Sequence, residues 1–458
     1  MRYRMKLLKY IIVLVLFSSS LITQPIMAQD QHPLTLQEVI QLALKNNSLI
    51  KQSNFGVEAA EFQIAEQQSG FYPNVLIRSS VSHANEAPRI PIEFKSDTVL
   101  ARQGTENTFT ARVELNQMIY DFGKTTHSVK AARYGASAQK YSYRQQINDV
   151  TVEVKQQFYR SLAYQKMDSI YRSIIPLSET LQKINEEKLK NGVALSPEVL
   201  RSQADLQNAI VQMTSAKNEL NKSYDRLLML TGMPTSEIRT TGNLPVIQST
   251  PSFNQLYGHL YNIALQNRED IRQTTFLAKQ QQEIARAYSA QNYPSLMLQS
   301  DFSYFGPDAF GYYSSLSSRG LKNYNWRVGI GFTFNLFDGS RMKSQKMRAL
   351  VLQRQYEEGT DQQRLQIGTE IKTLLNELEN LQLLIKSNQV VLKQARANLK
   401  VVEVSYQNGA IPQIDYIQAQ IPVANALANL EKSKFEMLHT LMLLEGTVGT
   451  DLHDTIHY

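Results

Sequence analysis

Three groups of residues carry side chains that could do chemistry. Asp121-Phe122-Gly123 spells a triplet that in kinases brings an aspartate to a metal ion, yet no glycine-rich phosphate loop and no His-Arg-Asp accompany it. It stands where a strand turns into a helix, a corner at which glycine is expected for backbone reasons alone. His453 and His457, with Asp451 and Asp454 beside them, have the spacing of two metal ligands on one helical face. They follow Gly449 in a terminal tail, where a solvated segment is the simpler expectation. Tyr141, Tyr143, Tyr159, Tyr164 and Tyr171 could line a ligand stripe, but aromatic residues at helical spacing usually pack between helices. No Ser/His/Asp set and no carboxylate pair stands out, and the polar residues follow helical and strand periods instead of clustering. The expectation is a protein that is not an enzyme, with no cofactor and no metal site.

The elements that would position these residues are long. Residues 124–190 read as one helix about 100 Å long, at ~1.5 Å per residue. In its lower half Ile170, Ile174, Leu177, Leu181 and Ile184 follow the 4-3-4-3 spacing of a coiled coil. A second run, 340–408, does the same at Leu374, Leu378, Leu381, Ile385, Leu392, Ala395, Leu399 and Val402, with Asn388 breaking the seam. Two such rods are too long for a compact globule.

Bulk properties narrow the class. Of the 458 residues, 1–28 read as a signal peptide: the basic residues Arg2, Arg4, Lys6 and Lys9, a mainly apolar run from Leu7 to Phe17 that includes the last of them, then a cleavage site after Ala28. Removing it leaves 44 of the 48 basic residues against 41 acidic ones, a net charge of +3, so nucleic acid is not an expected partner. The absence of cysteine excludes a disulfide framework. Past residue 28 no apolar run reaches the ~18 residues of a membrane helix, so entry into a membrane would have to use β-strands.

In chain order, Thr35 and Glu38 form a capping box for a helix ending at Asn46-Asn47, and a second helix stops before Tyr72-Pro73. From Asn74 the period changes to two, with Val75, Ile77 and Val81 on one face. Residues 83–102 read as a loop rich in proline and charge. The return strand puts Phe109, Ala111, Val113 and Leu115 on one face, and Asn191-Gly192 ends the long helix. Ser196-Pro197 starts its antiparallel partner, with Ser196 as N-cap.

The series then recurs. Ala43-Leu44-Lys45-Asn46 matches Ala264-Leu265-Gln266-Asn267, and Tyr72-Pro73 matches Tyr293-Pro294, at an offset of 221. Beyond the strands the offset is 217, pairing Asp121 with Asp338, Asn191-Gly192 with Asn408-Gly409, Asn208-Ala209 with Asn425-Ala426 and Gly232 with Gly449. The expected organisation is a duplicated unit. The first repeat is 29–234, with a β-hairpin at about 74–120, the long helix at about 124–190 and a helix at about 197–230. A linker follows at 235–251. The second repeat is 252–449, with a hairpin at about 295–337, a long helix at about 340–408 and a helix at about 413–446, before a tail at 450–458.

The last strand is the clearest. Tyr324, Trp326, Val328, Ile330, Phe332, Phe334 and Leu336 alternate with Asn325, Arg327, Gly329, Gly331, Thr333 and Asn335. An apolar face opposite a polar one, with Trp and Tyr at one end, suits lipid outside and water inside, although a strand of a soluble sandwich also alternates. Four strands close neither a sandwich nor a barrel. Membrane barrels have at least about eight strands, so several chains would share one, and a trimer gives twelve.

In this order and duplication the sequence resembles the TolC family of outer-membrane efflux channels, over essentially the whole mature chain. The segments that carry the resemblance are residues 34–44 (Leu34-Thr35-Leu36-Gln37-Glu38 onward), both Tyr-Pro pairs, Phe337-Asp338-Gly339 and the two hairpin tips. The tips are Gly192-Val193-Ala194-Leu195-Ser196 and Gly409-Ala410-Ile411-Pro412-Gln413. The resemblance implies a mainly α fold with a small transmembrane β part. In it, internally duplicated long-helix hairpins form an α-barrel and four strands per chain join a twelve-stranded trimeric β-barrel. It implies a homotrimer in the outer membrane of a Gram-negative bacterium, extending into the periplasm. It also implies a passive duct of a tripartite efflux or type I secretion system. The partners it implies are outer-membrane lipid, a periplasmic adaptor (membrane fusion) protein docking at the tips, and an inner-membrane pump of RND, ABC or MFS type. Trp326, Val328, Ile330, Phe332 and Phe334 would face lipid. Val193 and Ala194 would be cleaner probes of docking than the glycines, which also permit the turn. The second tip departs from the family's Gly-Leu/Val-x-x-Ser/Thr pattern at Pro412-Gln413. Lys400 and Glu403 stand where some members narrow the tunnel mouth with acidic residues. The competing reading is a soluble periplasmic coiled-coil adaptor or structural protein, which would lack two β-hairpins with apolar faces.

Overall fold

The structure, a computed structural model, describes residues 33–86, 89–94, 97–102, 106–233, 238–245, 256–306, 324–450 and 452. The expected signal peptide at 1–28, the ends of the 235–251 linker, and His453 and His457 with Asp451 and Asp454 lie outside these residues.

The helices are α1 (Leu36–Asn46), α2 (Ser48–Gln68), α3 (Lys124–Lys190), α4 (Ser196–Thr231), α5 (Tyr257–Asn267), α6 (Glu269–Ala290), α7 (Arg341–Gln407) and α8 (Gln413–Val448). Lengths recur with the sequence offsets: α1 and α5 have 11 residues each, α3 and α7 have 67, α4 and α8 have 36. None of these helices is long and apolar enough to cross a membrane. Local signals start and stop them. Asn47 caps α2 by accepting from the Leu49 and Ile50 amides at 2.9 and 3.2 Å. Glu38 reaches back to the Thr35 amide at 2.8 Å, the acidic half of a capping box. α3 runs unbroken through Pro176. Proline removes one hydrogen bond to the carbonyl four residues back. Pro176 is exposed, so water can serve the released Arg172 carbonyl.

By contact, the chain divides into two compact units. One gathers the described residues up to Ala43 with Gln157–Leu244 and Ala395–Glu431; the other holds Leu44–Gln156, Pro245–Gln394 and the residues from Lys432 onward. Each unit therefore draws on both sequence repeats. In the second unit, Ile367, Ile371, Leu375, Leu378 and Leu381 of α7 pack with Leu260 and Ala264 of α5 and with Met437, Leu441, Leu444 and Val448 of α8. Of the expected seam, Leu374 is half-buried and packs against this cluster, and Leu375 beside it is fully buried. An untwisted helix advances 3.6 residues per turn and drifts from a strict heptad, which brings the neighbouring leucine to the centre. Asn388, which interrupts the apolar seam, donates from Nδ2 to Ser433 Oγ of α8 at 3.1 Å. In the first unit Leu181 of α3 packs with Ile414 and Ile417 of α8, flanked by Leu177 and Ile184.

The strands are β1 (Asn74–His83), β2 (Arg89–Phe94), β3 (Asp97–Arg102), β4 (Asn107–Tyr120), β5 (Ser295–Gly306) and β6 (Tyr324–Thr333). The first, fourth, fifth and sixth form one antiparallel sheet in the order β1-β4-β5-β6. Residues 83–102 were expected to be a loop, and that expectation is corrected: Arg89–Phe94 pairs with Asp97–Arg102 as a separate two-stranded ribbon. Each strand of a ribbon is also an edge, where a proline such as Pro91 is tolerated. β6 ends at Thr333, so Phe334 and Leu336 lie just beyond it.

Residues directly opposite in an antiparallel pair share a face. One row across the main sheet is Ile77, Val113, Phe302 and Trp326. The adjoining positions on that face include Val75 and Val81, Leu115, Leu298, Val328, Ile330 and Phe332. A row on the other face is Leu76, Glu114, Asp301 and Arg327. There Arg78 and Arg112 each approach Glu114 at 3.7 Å, and Arg327 meets Asp301 at 3.1 Å. The sheet is thus apolar on one side and charged on the other. Its apolar side is open: Val75, Ile77, Val113, Phe302, Trp326, Val328, Ile330 and Phe332 are all exposed.

Candidate functional site

Two hairpin tips, two strand-to-helix corners and the apolar sheet face hold the residues singled out by sequence. At the first tip Gly192 has φ 71°, a left-handed conformation open to glycine. Its amide donates to Leu189 O at 3.0 Å and the Val193 amide to Lys188 O at 2.8 Å, the paired bonds of a Schellman stop. The second tip repeats the device: Gly409 has φ 72°, its amide donates to Tyr406 O at 2.9 Å, and the Ala410 amide to Ser405 O at 2.8 Å. Val193 and Leu195 project with 76% and 70% of their surface exposed, whereas Ala194 is buried at 7%. Ala194 is therefore a poorer probe of docking than expected, and Leu195, also among the tip residues, is a better one. Ser196 is the first helical residue of α4 and does not occupy the cap position, which falls to Leu195. At the second tip Ala410, Pro412 and Gln413 are exposed and Ile411 is half-buried. Lys400, two turns before that tip, is exposed, and Glu403 is half-buried.

Polar contacts bind the first tip's two helices. Gln182 of α3 and Gln203 of α4 donate to Glu186 at 2.7 and 3.5 Å, and these bonds, with the charge of Lys190, hold its carboxyl below the usual range. Behind the tip α3, α4 and α8 leave a cleft of ≈560 Å³ whose lining includes Asn185, Lys188, Arg201, Asp205, Asp415 and Pro422. The sequence reading missed this cleft, because its residues appear there only as ordinary polar positions of helical period. The only sequence signal is Pro422, a proline inside α8.

The corners show what the Asp121 triplet does. Asp121 Oδ1 accepts from the Gly123 amide at 3.0 Å, and Oδ2 accepts from the Thr125 amide at 2.7 Å. At the matching corner Asp338 Oδ2 accepts from the Met342 amide at 2.9 Å. Both aspartates satisfy amides at the start of a long helix, which accounts for a carboxylate at each position. Among the described residues no three or more His, Cys, Asp or Glu gather as a metal group. The tyrosines of α3 are half-buried, and Tyr141 stacks on Phe276 of α6 with ring centres 5.2 Å apart.

Comparison with known proteins agrees with this architecture. The chain is 18% identical over 199 residues to the alkaline protease secretion protein AprF of Pseudomonas aeruginosa, a match spanning 42% of this chain and 38% of that protein's length. The Campylobacter jejuni CmeC outer membrane channel superposes with a TM-score of 0.74 at 18% identity, over 90% of this chain and 85% of that one. The open state of the Neisseria gonorrhoeae MtrE outer membrane channel gives 0.69 at 16% identity, over 91% and 89%. These likenesses show the fold. The pattern of the outer membrane efflux protein family matches residues 39–233 and 260–450, one segment in each repeat. The chain belongs to the outer membrane efflux protein family, and its place is the outer membrane.

Proposed function

We propose that the protein is a passive duct in which three copies close one twelve-stranded barrel across the outer membrane and line a helical tunnel into the periplasm. The register of the main sheet carries this reading. β1 and β6 each pair on one side only among the described residues, so the sheet ends in two open edges. Open edges beside one continuous apolar face call for further strands, and a barrel has at least about eight. In this reading the charged face, with Glu114, Asp301 and Arg327, lines the water-filled lumen, while Trp326, Val328, Ile330, Phe332 and Phe334 face lipid.

The tips Gly192–Ser196 and Gly409–Gln413 dock a periplasmic adaptor, which couples the duct to an inner-membrane pump of RND, ABC or MFS type. The pump supplies the energy, and the duct catalyses nothing. Support comes from the exposed apolar Val193 and Leu195, set 67 helical residues from the strand corner. The names of the relatives span both uses of such a duct, an outer membrane channel and a protease secretion protein. Lys400 and Glu403 put one charge of each sign near the tunnel mouth, which supports a mouth without a strongly acidic ring.

Mass measurement by light scattering in detergent tests the shared barrel. Three chains per particle are expected. A stable, folded monomer overturns the reading.

A further inference from the structure

The offsets of 221 and 217 set each contact inside the chain beside its duplicate. Four residues along one face of α6 touch α3. The Arg272 guanidinium lies 5.8 Å from the ring centre of Tyr141. Phe276 stacks on the same ring at 5.2 Å and leans on Tyr134 at 6.0 Å. Gln280 lies against Gly135, so closely that a Cβ there would meet its Nε2 at 2.8 Å. Glu283 Oε2 and His127 Nδ1 are 2.6 Å apart. The matching face of α2 carries Lys51, Phe55, Ala59 and Phe62, and it is bare: all four are exposed, Phe55 by 65% and Phe62 by 68%. On α7 the matching positions hold Glu358 for Tyr141, Val351 for Tyr134 and Ser344 for His127. These are exposed too, as is Met347, one turn from Ser344.

The helices toward the tips repeat the pattern. Ile417 of α8 and Ile184 of α3 belong to the cluster around Leu181. Their duplicates, Leu200 of α4 and Val401 of α7, are 61% and 65% exposed. At these positions α3 is covered by α6 and α8 of its own chain. On α7 the matching surface is open, and on α2 and α4 the matching cover is unused.

We propose that a second copy of the chain covers α7. Its α2 seats Phe55 on Val351 and Phe62 beside Met347, its Lys51 pairs with Glu358, and its α4 seats Leu200 on Val401. The proposal rests on the reading of a three-copy duct and adds which residues join the copies. Charge favours another copy as the occupant. Lys51 and Glu358 stand at the duplicate positions of Arg272 and Tyr141, which touch, and they carry opposite signs. Neither forms an ion pair among the described residues. The two joined surfaces differ, so the joint is heterologous, and such joints link copies head to tail into a ring when the rotation closes. The open sheet edges follow the same order, with β1 from the first repeat and β6 from the second.

The chain has no cysteine, so introduced pairs can be joined without background. Leu200→Cys with Val401→Cys, and Phe55→Cys with Val351→Cys, are sized by light scattering in detergent and then treated with a short bis-maleimide. Denaturing gels should show both pairs joined into species of two and three chains. Ile184→Cys with Ile417→Cys, the duplicate pair inside the chain, should react yet run at the mass of one chain. Leu200→Cys with Leu383→Cys should not link copies, since Leu383, though exposed, lies about 27 Å along α7 from Val401 at ~1.5 Å per residue. Three-chain particles in which either predicted pair links no copies overturn the joint at that pair, while the three-copy duct stands. Single-chain particles of the wild type mean that the duct reading itself has failed. Charge reversal needs no linking. Lys51→Glu should lower the temperature at which the trimer dissociates, and adding Glu358→Lys should restore the wild-type value. An equal loss in the double variant overturns the contact between Lys51 and Glu358.

Discussion

Gly192 and Gly409, 217 positions apart in the chain, turn it with φ of 71° and 72° and start the same pair of backbone bonds. Among the described residues, nothing beyond the adjoining residues lies within 4 Å of where a Cβ would sit at either. Space is not the constraint there; backbone conformation is. Gly192→Ala and Gly409→Ala should each destabilise the folded chain by about 1 kcal/mol, the usual handedness penalty. Denaturant midpoints of the two variants check this.

The exposed tip side chains separate docking from folding. Val193→Glu and Leu195→Glu should leave trimer mass and outer-membrane level unchanged while abolishing export by the host. Ala410→Glu should have a weaker effect of the same kind. If these variants export normally and still cross-link to the adaptor, contact lies elsewhere on the helices.

Alternation on β6 gives an internal control for the membrane face. Ile330→Arg and Phe332→Arg should impair assembly, since a cation at mid-bilayer costs ~2–4 kcal/mol on barrel scales. Gly331→Arg and Thr333→Arg should be milder, because these residues share the face of Arg327. Equal yields of heat-resistant trimer from both pairs would show that the facing is assigned wrongly.

Removing the corner caps should be costly and unequal. Asp121→Ala and Asp338→Ala should each lose about 0.5–2 kcal/mol. The larger loss is expected at Asp121, whose carboxylate serves the amides of both Gly123 and Thr125. Guanidinium titration of the two variants gives the order directly.

Asp149 on α3 supplies a pH test. Desolvation raises its pKa above the ordinary carboxylate value, opposed by the bond from Gln145 and the charge of Arg268 and helped by Asp270. The folded state thus holds this proton more tightly than the unfolded chain. Its contribution is fully present below the unfolded pKa and is lost as pH rises through the higher folded value. Asp149→Asn stays neutral, so it should be more stable than wild type at neutral pH, with the gap closing as pH falls below 4. Melting curves across that range decide it.

Much of this molecule was legible from the chain alone, because its signals are local. A left-handed glycine stops each long helix, and period-two alternation marks β6, whatever surrounds them. Duplication added a second copy of each signal, which is why α3 and α7 could be read as equal rods. Relations between elements were not legible. Leu374 and Leu375 are equally apolar, and only the residues of α5 and α8 packed against them decide that Leu375 is buried. Ala194 and Val193 are neighbours in one turn, and the fold alone buries the first and exposes the second. The 89–102 ribbon escaped notice because a proline masks its alternation. The shared apolar face depends on pairing: a register slip of one residue would turn any strand's apolar row toward the charged side. Periodicity is a property of one strand or helix, whereas burial and facing belong to the pair, and only tertiary structure brings the pair together.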